Sequence, residues 1–166
     1  TKNSSLAALQ STNNILHTVN VASATGSTAK LTIGNSNTIG GVTNALKDVR
    51  TFDATKFDND LTLGAKITQE SVAKYMSLKD TAEPAADNVT FAYNFGKGND
   101  TLELAVDAAN LAYAGTTTRE DFVLNIAGNA GNDKITVTIA RDDADAFVPE
   151  DTTTDPDTPA TPEGRA

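Results

Sequence analysis

Two short segments constrain this chain more than anything else in it. They are Gly96-Lys97-Gly98-Asn99-Asp100 and Gly128-Asn129-Ala130-Gly131-Asn132-Asp133. Each runs directly into alternating apolar and polar residues, Thr101-Leu102-Glu103-Leu104 and Lys134-Ile135-Thr136-Val137. Glycine permits a tight turn, Asn and Asp hydrogen-bond their own backbone there, and period-two alternation marks a half-buried strand. Asp100 and Asp133 stand 33 residues apart. A looser echo joins AKLTIGN at 29–35 to DLTLGAK at 60–66. A turn followed by a strand, recurring at similar spacing, suits stacked turns in which each covers its neighbour.

The remaining signal is also β. Runs rich in Thr, Val, Ile and Leu, bounded by Gly, Asn and Asp, predict strands over His17–Ser23, Lys30–Gly34, Val49–Asp53, Asp60–Gly64, Asn88–Phe95, Thr101–Val106, Phe122–Ala127 and Lys134–Ala140. Two stretches read as short helices: Thr68–Ser77, capped by Thr68, and Asp107–Ala114, capped by Asp107 and stopped by Gly115. Ser5–Leu16 is a weaker third. The alternation puts Val21, Leu31, Ile33, Phe52, Leu61, Leu63, Phe91, Leu102, Leu104, Val123, Ile126, Ile135, Val137 and Ile139 in the core. The fold expected is mainly β, with parallel β-solenoid-like stacked turns and two short helices; a β-sandwich is the alternative.

Charge divides the chain into two parts. Of its 166 residues and net charge of −9, residues 1–140 carry −3 and residues 141–166 carry −6. Four of the five prolines also lie beyond residue 140. The stretch VPEDTTTDPDTPATPEGRA has almost no large apolar side chain to offset chain entropy. It reads as a disordered or extended linker over 148–166, after a β-rich domain over 1–147. The chain begins at Thr1 rather than Met, which reads as processing or as excision from something longer. With no cysteine there is no disulfide framework, thiol nucleophile or zinc–cysteine site. The acidic balance argues against nucleic acid as a partner, and no apolar run is long enough for insertion into a membrane.

The two Gly-Asn-Asp turns carry the one chemical motif. Set against the calcium nonapeptide G-G-x-G-x-D-x-U-x, Phe95–Glu103 lacks only the opening glycine, and Gly128–Thr136 lacks only the second. Backbone carbonyls of the turn and the Asp carboxylate are the hard oxygen donors that calcium takes. The candidate ligand residues are therefore Gly96, Gly98, Asn99, Asp100, Gly128, Gly131, Asn132 and Asp133. The same turn before a strand also serves as plain turn chemistry, with Asp capping its own backbone.

The segment GNDTLELAVDAANLAYAGTTTREDFVLNIAGNAGNDKITVTIA, residues 98–140, resembles parts of S-layer and RTX-type surface proteins of Gram-negative bacteria. VRTFDATKFDNDLTLGAKIT, residues 49–68, resembles their solenoid turns. The resemblance implies an extracellular, calcium-dependent, β-rich structural protein exported without a cleaved N-terminal signal. It implies self-association into a lattice or filament at the cell surface. The alternatives are a ligand-binding module of a large adhesin, contacting a cell-surface glycan, and a secreted polysaccharide lyase or hydrolase.

Catalytic motifs are otherwise absent. His17 has no Ser and Asp companions of motif quality, no G-x-S-x-G occurs, and Gly40-Gly41 lacks the Lys of a phosphate loop. Arg50, Asp53, Asp60 and Lys66 are the carboxylate and basic residues a lyase would use, and Asp142, Asp143 and Asp145 read as a solvated end of the domain. The expectation is a non-enzymatic protein.

Overall fold

The computed structural model describes residues 2–34, 45–68, 70–71, 89–107 and 122–140. Ten strands are built from them: β1 (Ser4–Leu6), β2 (Thr18–Ala22), β3 (Leu31–Ile33), β4 (Leu46–Lys47), β5 (Thr51–Lys56), β6 (Leu61–Ile67), β7 (Val89–Asn94), β8 (Thr101–Asp107), β9 (Phe122–Ala127) and β10 (Lys134–Ala140). One sheet runs β1-β3-β6-β8-β10, with β4 also on β6, and the other runs β2-β5-β7-β9. Every pairing between these strands is parallel. The protein is mainly β, with parallel sheets. Among the described residues no helix is long and apolar enough to cross a membrane.

Parallel neighbours cannot be joined by a hairpin, so the chain must leave the sheet and return. Here it does so by visiting the other sheet: β5, β7 and β9 each lead through a short turn into β6, β8 and β10. Along β3, β6, β8 and β10 the register is unbroken, whereas β2 shifts against β5 after Asn20. Leu31 pairs with Leu61, Leu63 with Leu102, and Leu102 with Ile135. Because side chains alternate faces along a strand, this register stacks apolar residues of successive strands in rows on one face.

Those rows meet in a single core. Leu61, Leu63, Ala65 and Ile67 of β6 and Leu102, Leu104 and Val106 of β8 pack in one cluster with Phe52 and Ala54 of β5 and Phe91 and Tyr93 of β7. Phe52 sits 6.3 Å from the Tyr93 ring and 5.9 Å from that of Phe95, so the aromatic residues form a row across the second sheet. The Tyr93 hydroxyl, fully buried, donates to the Val49 carbonyl at 2.9 Å and is thereby satisfied.

Several expectations are corrected. Two short helices are not seen among the described residues; within Thr68–Ser77 only Glu70 and Ser71 of them are helical. Most of Thr68–Ser77 and Asp107–Ala114 lies outside the described residues, and Asp107 is the last residue of β8. Ser5–Leu16 holds strand β1 and a single 3-10 turn over Thr12–Asn14, in which Asn13 takes the left-handed conformation. Val123 is only half buried, while its neighbours Leu124 and Ile126 pack on the core. The largest departure is β10: Ile135, Val137 and Ile139 are 45%, 44% and 55% exposed, although their partners Leu102, Leu104 and Val106 are buried. Their phase is the inward one, but among the described residues the facing sheet ends at β9.

Candidate functional site

The two Gly-Asn-Asp turns link β7 to β8 and β9 to β10, and they lie one on the other. The Ala130 N–H donates to the Gly96 carbonyl at 3.3 Å, and the Lys134 N–H donates to the Asp100 carbonyl at 2.8 Å. The turn Phe57–Asp60, between β5 and β6, lies on the far side of the first: the Lys97 N–H donates to the Phe57 carbonyl at 3.1 Å. Three turns thus stack on one edge of the molecule, and all eight candidate ligand residues belong to the upper two.

Glycine is needed here for close approach as well as for turning. A Cβ on Gly98 would overlap the backbone of Asn59 and Asp60, and one on Gly131, which has φ +125°, would overlap the Gly98 carbonyl. A Cβ on Gly96 would meet the Phe57 carbonyl, and one on Gly128 would meet the Asp133 carboxylate. The turn backbones are therefore packed against one another at distances that leave no room for a side chain.

The carboxylates are directed at backbone N–H groups of neighbouring turns. Asp100, 3% exposed, accepts from the Leu61 N–H at 2.8 Å through one oxygen and from the Gly96 N–H at 3.3 Å through the other. Asp133 accepts from the Asp100 N–H at 2.9 Å. Asp60 accepts from the Asn99 N–H at 3.0 Å, and the Asn99 carboxamide accepts from the Asn132 N–H at 2.8 Å. Asn129, at φ 63°, donates its amide to the Phe95 carbonyl. These side chains staple one turn to the next, Asp60, Asn99, Asp100 and Asp133 by accepting a backbone N–H and Asn129 by donating to a backbone carbonyl.

Burial pushes the Asp100 carboxyl above its ordinary 3.8; the bonds from Leu61 and Gly96 oppose this, and the charges of Asp133 and Asp60 add to it. Asp60 itself is held below the ordinary value, first by its contact with Lys30 and then by the Asn99 N–H. Lys30 pairs with Asp60 at 2.6 Å and Lys97 with Asp58 at 2.8 Å, both exposed to solvent. These two ion pairs line a polar depression of about 260 Å³ together with Thr28, Asn59, Gly98 and Asn99.

A bound calcium ion asks for six to eight converging oxygens. Among the described residues no group of three or more Asp, Glu, His or Cys side chains is placed to hold a metal ion. The Asp100 and Asp133 carboxylates instead serve the backbone of the adjoining turns. As arranged, these two carboxylates act as hydrogen-bonded staples between turns.

The residues a lyase would use are not gathered. Asp53 lies on the outer face of one sheet, binding the Thr55 N–H and hydroxyl, whereas Lys66 lies on the outer face of the other. The Arg50 side chain donates to the Thr90 carbonyl at 2.9 Å, and Asp60 belongs to the turn edge. Asp142, Asp143 and Asp145 lie outside the described residues.

One buried group was not anticipated. Asp48, fully buried and at φ 57°, accepts from the Thr68 N–H at 2.7 Å and from the Thr68 hydroxyl at 2.9 Å. Burial is the main cause that raises its carboxyl above the ordinary value. It ties the turn before β5 to the end of β6. The available signal was an Asp between two apolar runs, a residue type that tolerates the left-handed region. Two further buried oxygens, Ser71 Oγ and Glu103 Oε2, have no hydrogen-bond partner among the described residues.

No family model, curated protein or solved structure matches the chain.

Proposed function

We propose that this chain is a non-catalytic structural module, a β-solenoid-like column of stacked turns that serves in an extracellular cell-surface assembly. The supporting observation is the use made of the motif residues. The Gly-Asn-Asp turns, the sequence's only chemical signature, spend their side chains on holding turn to turn. A column built this way is rigid along its axis and needs no disulfides, which suits a chain without cysteine outside the cell. Purified protein examined by light scattering and electron microscopy should form ordered filaments or sheets. A chain that stays monomeric and instead captures a glycan would overturn this reading in favour of the adhesin module.

A second reading concerns calcium. It is favoured by one observation: the Asp133 and Asp60 charges both act on the Asp100 carboxylate at the turn edge. A divalent cation at the solvent rim of those turns would offset those charges and stabilise the folded column by mass action. Thermal unfolding in calcium and in chelator tests it, and an unchanged midpoint removes calcium from the account.

A further inference from the structure

Every exposed large apolar side chain among the described residues lies at one of the two ends of the stack: Leu6 and Ile15 at the first, Ile135, Val137 and Ile139 at the last. Among the described residues the terminal strands at both ends are paired on one side only. β10 pairs only with β8 and β9 only with β7, while β1 pairs only with β3 and β2 only with β5. An open edge of a parallel ladder with an apolar row in the inward phase is a template for one more strand.

The two ends match in detail. Following the register from strand to strand, Ser5, Thr32, Thr62, Thr101 and Lys134 fall in one row, and Leu6, Ile33, Leu63, Leu102 and Ile135 in the next. Two residues before the first of these rows lie Asn3, Lys30, Asp60, Asn99 and Asn132. Each member of that set is linked to the one above. The Asn3 carboxamide accepts the Lys30 N–H at 3.0 Å, Lys30 pairs with Asp60, Asp60 accepts the Asn99 N–H, and Asn99 accepts the Asn132 N–H. Asn132 ends the set, exposed, with the residue type that accepts from the next turn in Asn3 and Asn99.

One 33-residue step beyond β9 lies Asp155-Pro156-Asp157-Thr158-Pro159-Ala160, which has no large apolar residue and two prolines that cannot donate to a ladder. A second copy of the chain suits the β9–β10 edge, because its first end already carries the matching rows in the same parallel direction.

We propose that copies stack head to tail, the β1–β2 edge of one molecule closing on the β9–β10 edge of the next, with Leu6 laid on Ile135 and the Asn132 carboxamide accepting the Asn3 N–H. This inference rests on the assembly reading above and specifies its interface. A heterologous contact of this kind repeats without closing, so it builds a filament.

The test is cysteine cross-linking in the full chain, which has no cysteine of its own. Ser5 and Lys134 are both exposed and would become neighbours on adjacent parallel strands, about 4.8 Å apart. That separation is within the Cα range of a disulfide, roughly 4.4–6.8 Å. Under mild oxidation S5C mixed with K134C should give a mixed dimer, each variant alone should give none, and the S5C/K134C double variant should give a ladder of higher species. Val137→Lys, at a site already exposed, should keep the β circular dichroism of the parent and lose the assembly. Homodimers of either single variant, or assembly undiminished in Val137→Lys, would overturn the head-to-tail contact. An assembly without the S5C–K134C cross-link refutes this interface alone. A chain that is monomeric with and without calcium refutes the assembly reading and this inference together.

Discussion

Replacing Asp100 by alanine removes the acceptor of two buried N–H groups at once, those of Leu61 at 2.8 Å and Gly96 at 3.3 Å. Hydrogen bonds to a charged group contribute about 1.5–3 kcal/mol each, and a buried donor left without an acceptor costs about 1–3 kcal/mol. The Leu61 bond is short and should count in full, whereas the Gly96 bond is long and should count for less. Against this stands the burial that raises the Asp100 carboxyl, a cost that alanine removes. The balance is a loss of about 3 kcal/mol. With a urea slope of about 2 kcal/mol/M, the denaturation midpoint should fall by about 1.5 M. Asp100→Asn keeps one acceptor oxygen for Leu61 but turns an amide toward Gly96, and should lose roughly half as much. The titrations are run in chelator. A midpoint for Asp100→Ala within about 0.2 M of the parent would refute the staple. A loss that appears only when calcium is added would assign the carboxylate to a metal instead.

Other expectations follow from the same contacts. The Asp100 and Asp48 carboxyls are both raised in the folded chain, so the native state binds protons more readily there than the unfolded state. Stability should therefore increase as the pH falls from neutral toward the ordinary 3.8, and urea midpoints across that range should show a smaller increase in Asp100→Asn. Asp53 and Asp60 are lowered and exposed, and their small opposite contribution is lost only below the ordinary 3.8. Gly131→Ala places a Cβ against the Gly98 carbonyl at a φ of +125° and should destabilise the chain by about 2 kcal/mol or more, read by thermal unfolding. Thr68→Val removes the hydroxyl that serves the buried Asp48 carboxylate and should cost about 1–3 kcal/mol in the same assay. Calcium in excess should raise the thermal midpoint by roughly 2–4 °C over chelator for each kcal/mol of binding, without being needed for folding.

Much of the fold was legible because one physical rule governs it. Period-two alternation between Gly, Asn and Asp turns placed eight strands to within a few residues, from β2 through β10, and the Asp100–Asp133 spacing anticipated that their turns lie together. What was not legible depends on neighbours distant in sequence. Ile135, Val137 and Ile139 have the pattern of core residues, and that pattern is correct for their face; exposure follows from where the opposite sheet ends. β1 and β4, of three and two residues, are too short to carry a period and exist because β3 and β6 offer them an edge. At the site, glycines and aspartates at that spacing serve a cation loop or a hydrogen-bonded stack equally well. Only the partners separate the two, and Leu61 lies 39 residues from Asp100. Asp48 carried no motif, since its partner Thr68 is 20 residues away on another strand end.

The measurement that bears most directly on the stapled stack is amide hydrogen exchange, followed residue by residue in chelator. The Leu61 and Asp100 N–H groups, held by the carboxylates of Asp100 and Asp133, should exchange as slowly as the amides of the core strands β6 and β8. Asp133→Ala should release the Asp100 amide while leaving that of Leu61 protected. Rapid exchange of both amides in the parent chain, at the rate of an open turn, would contradict the account.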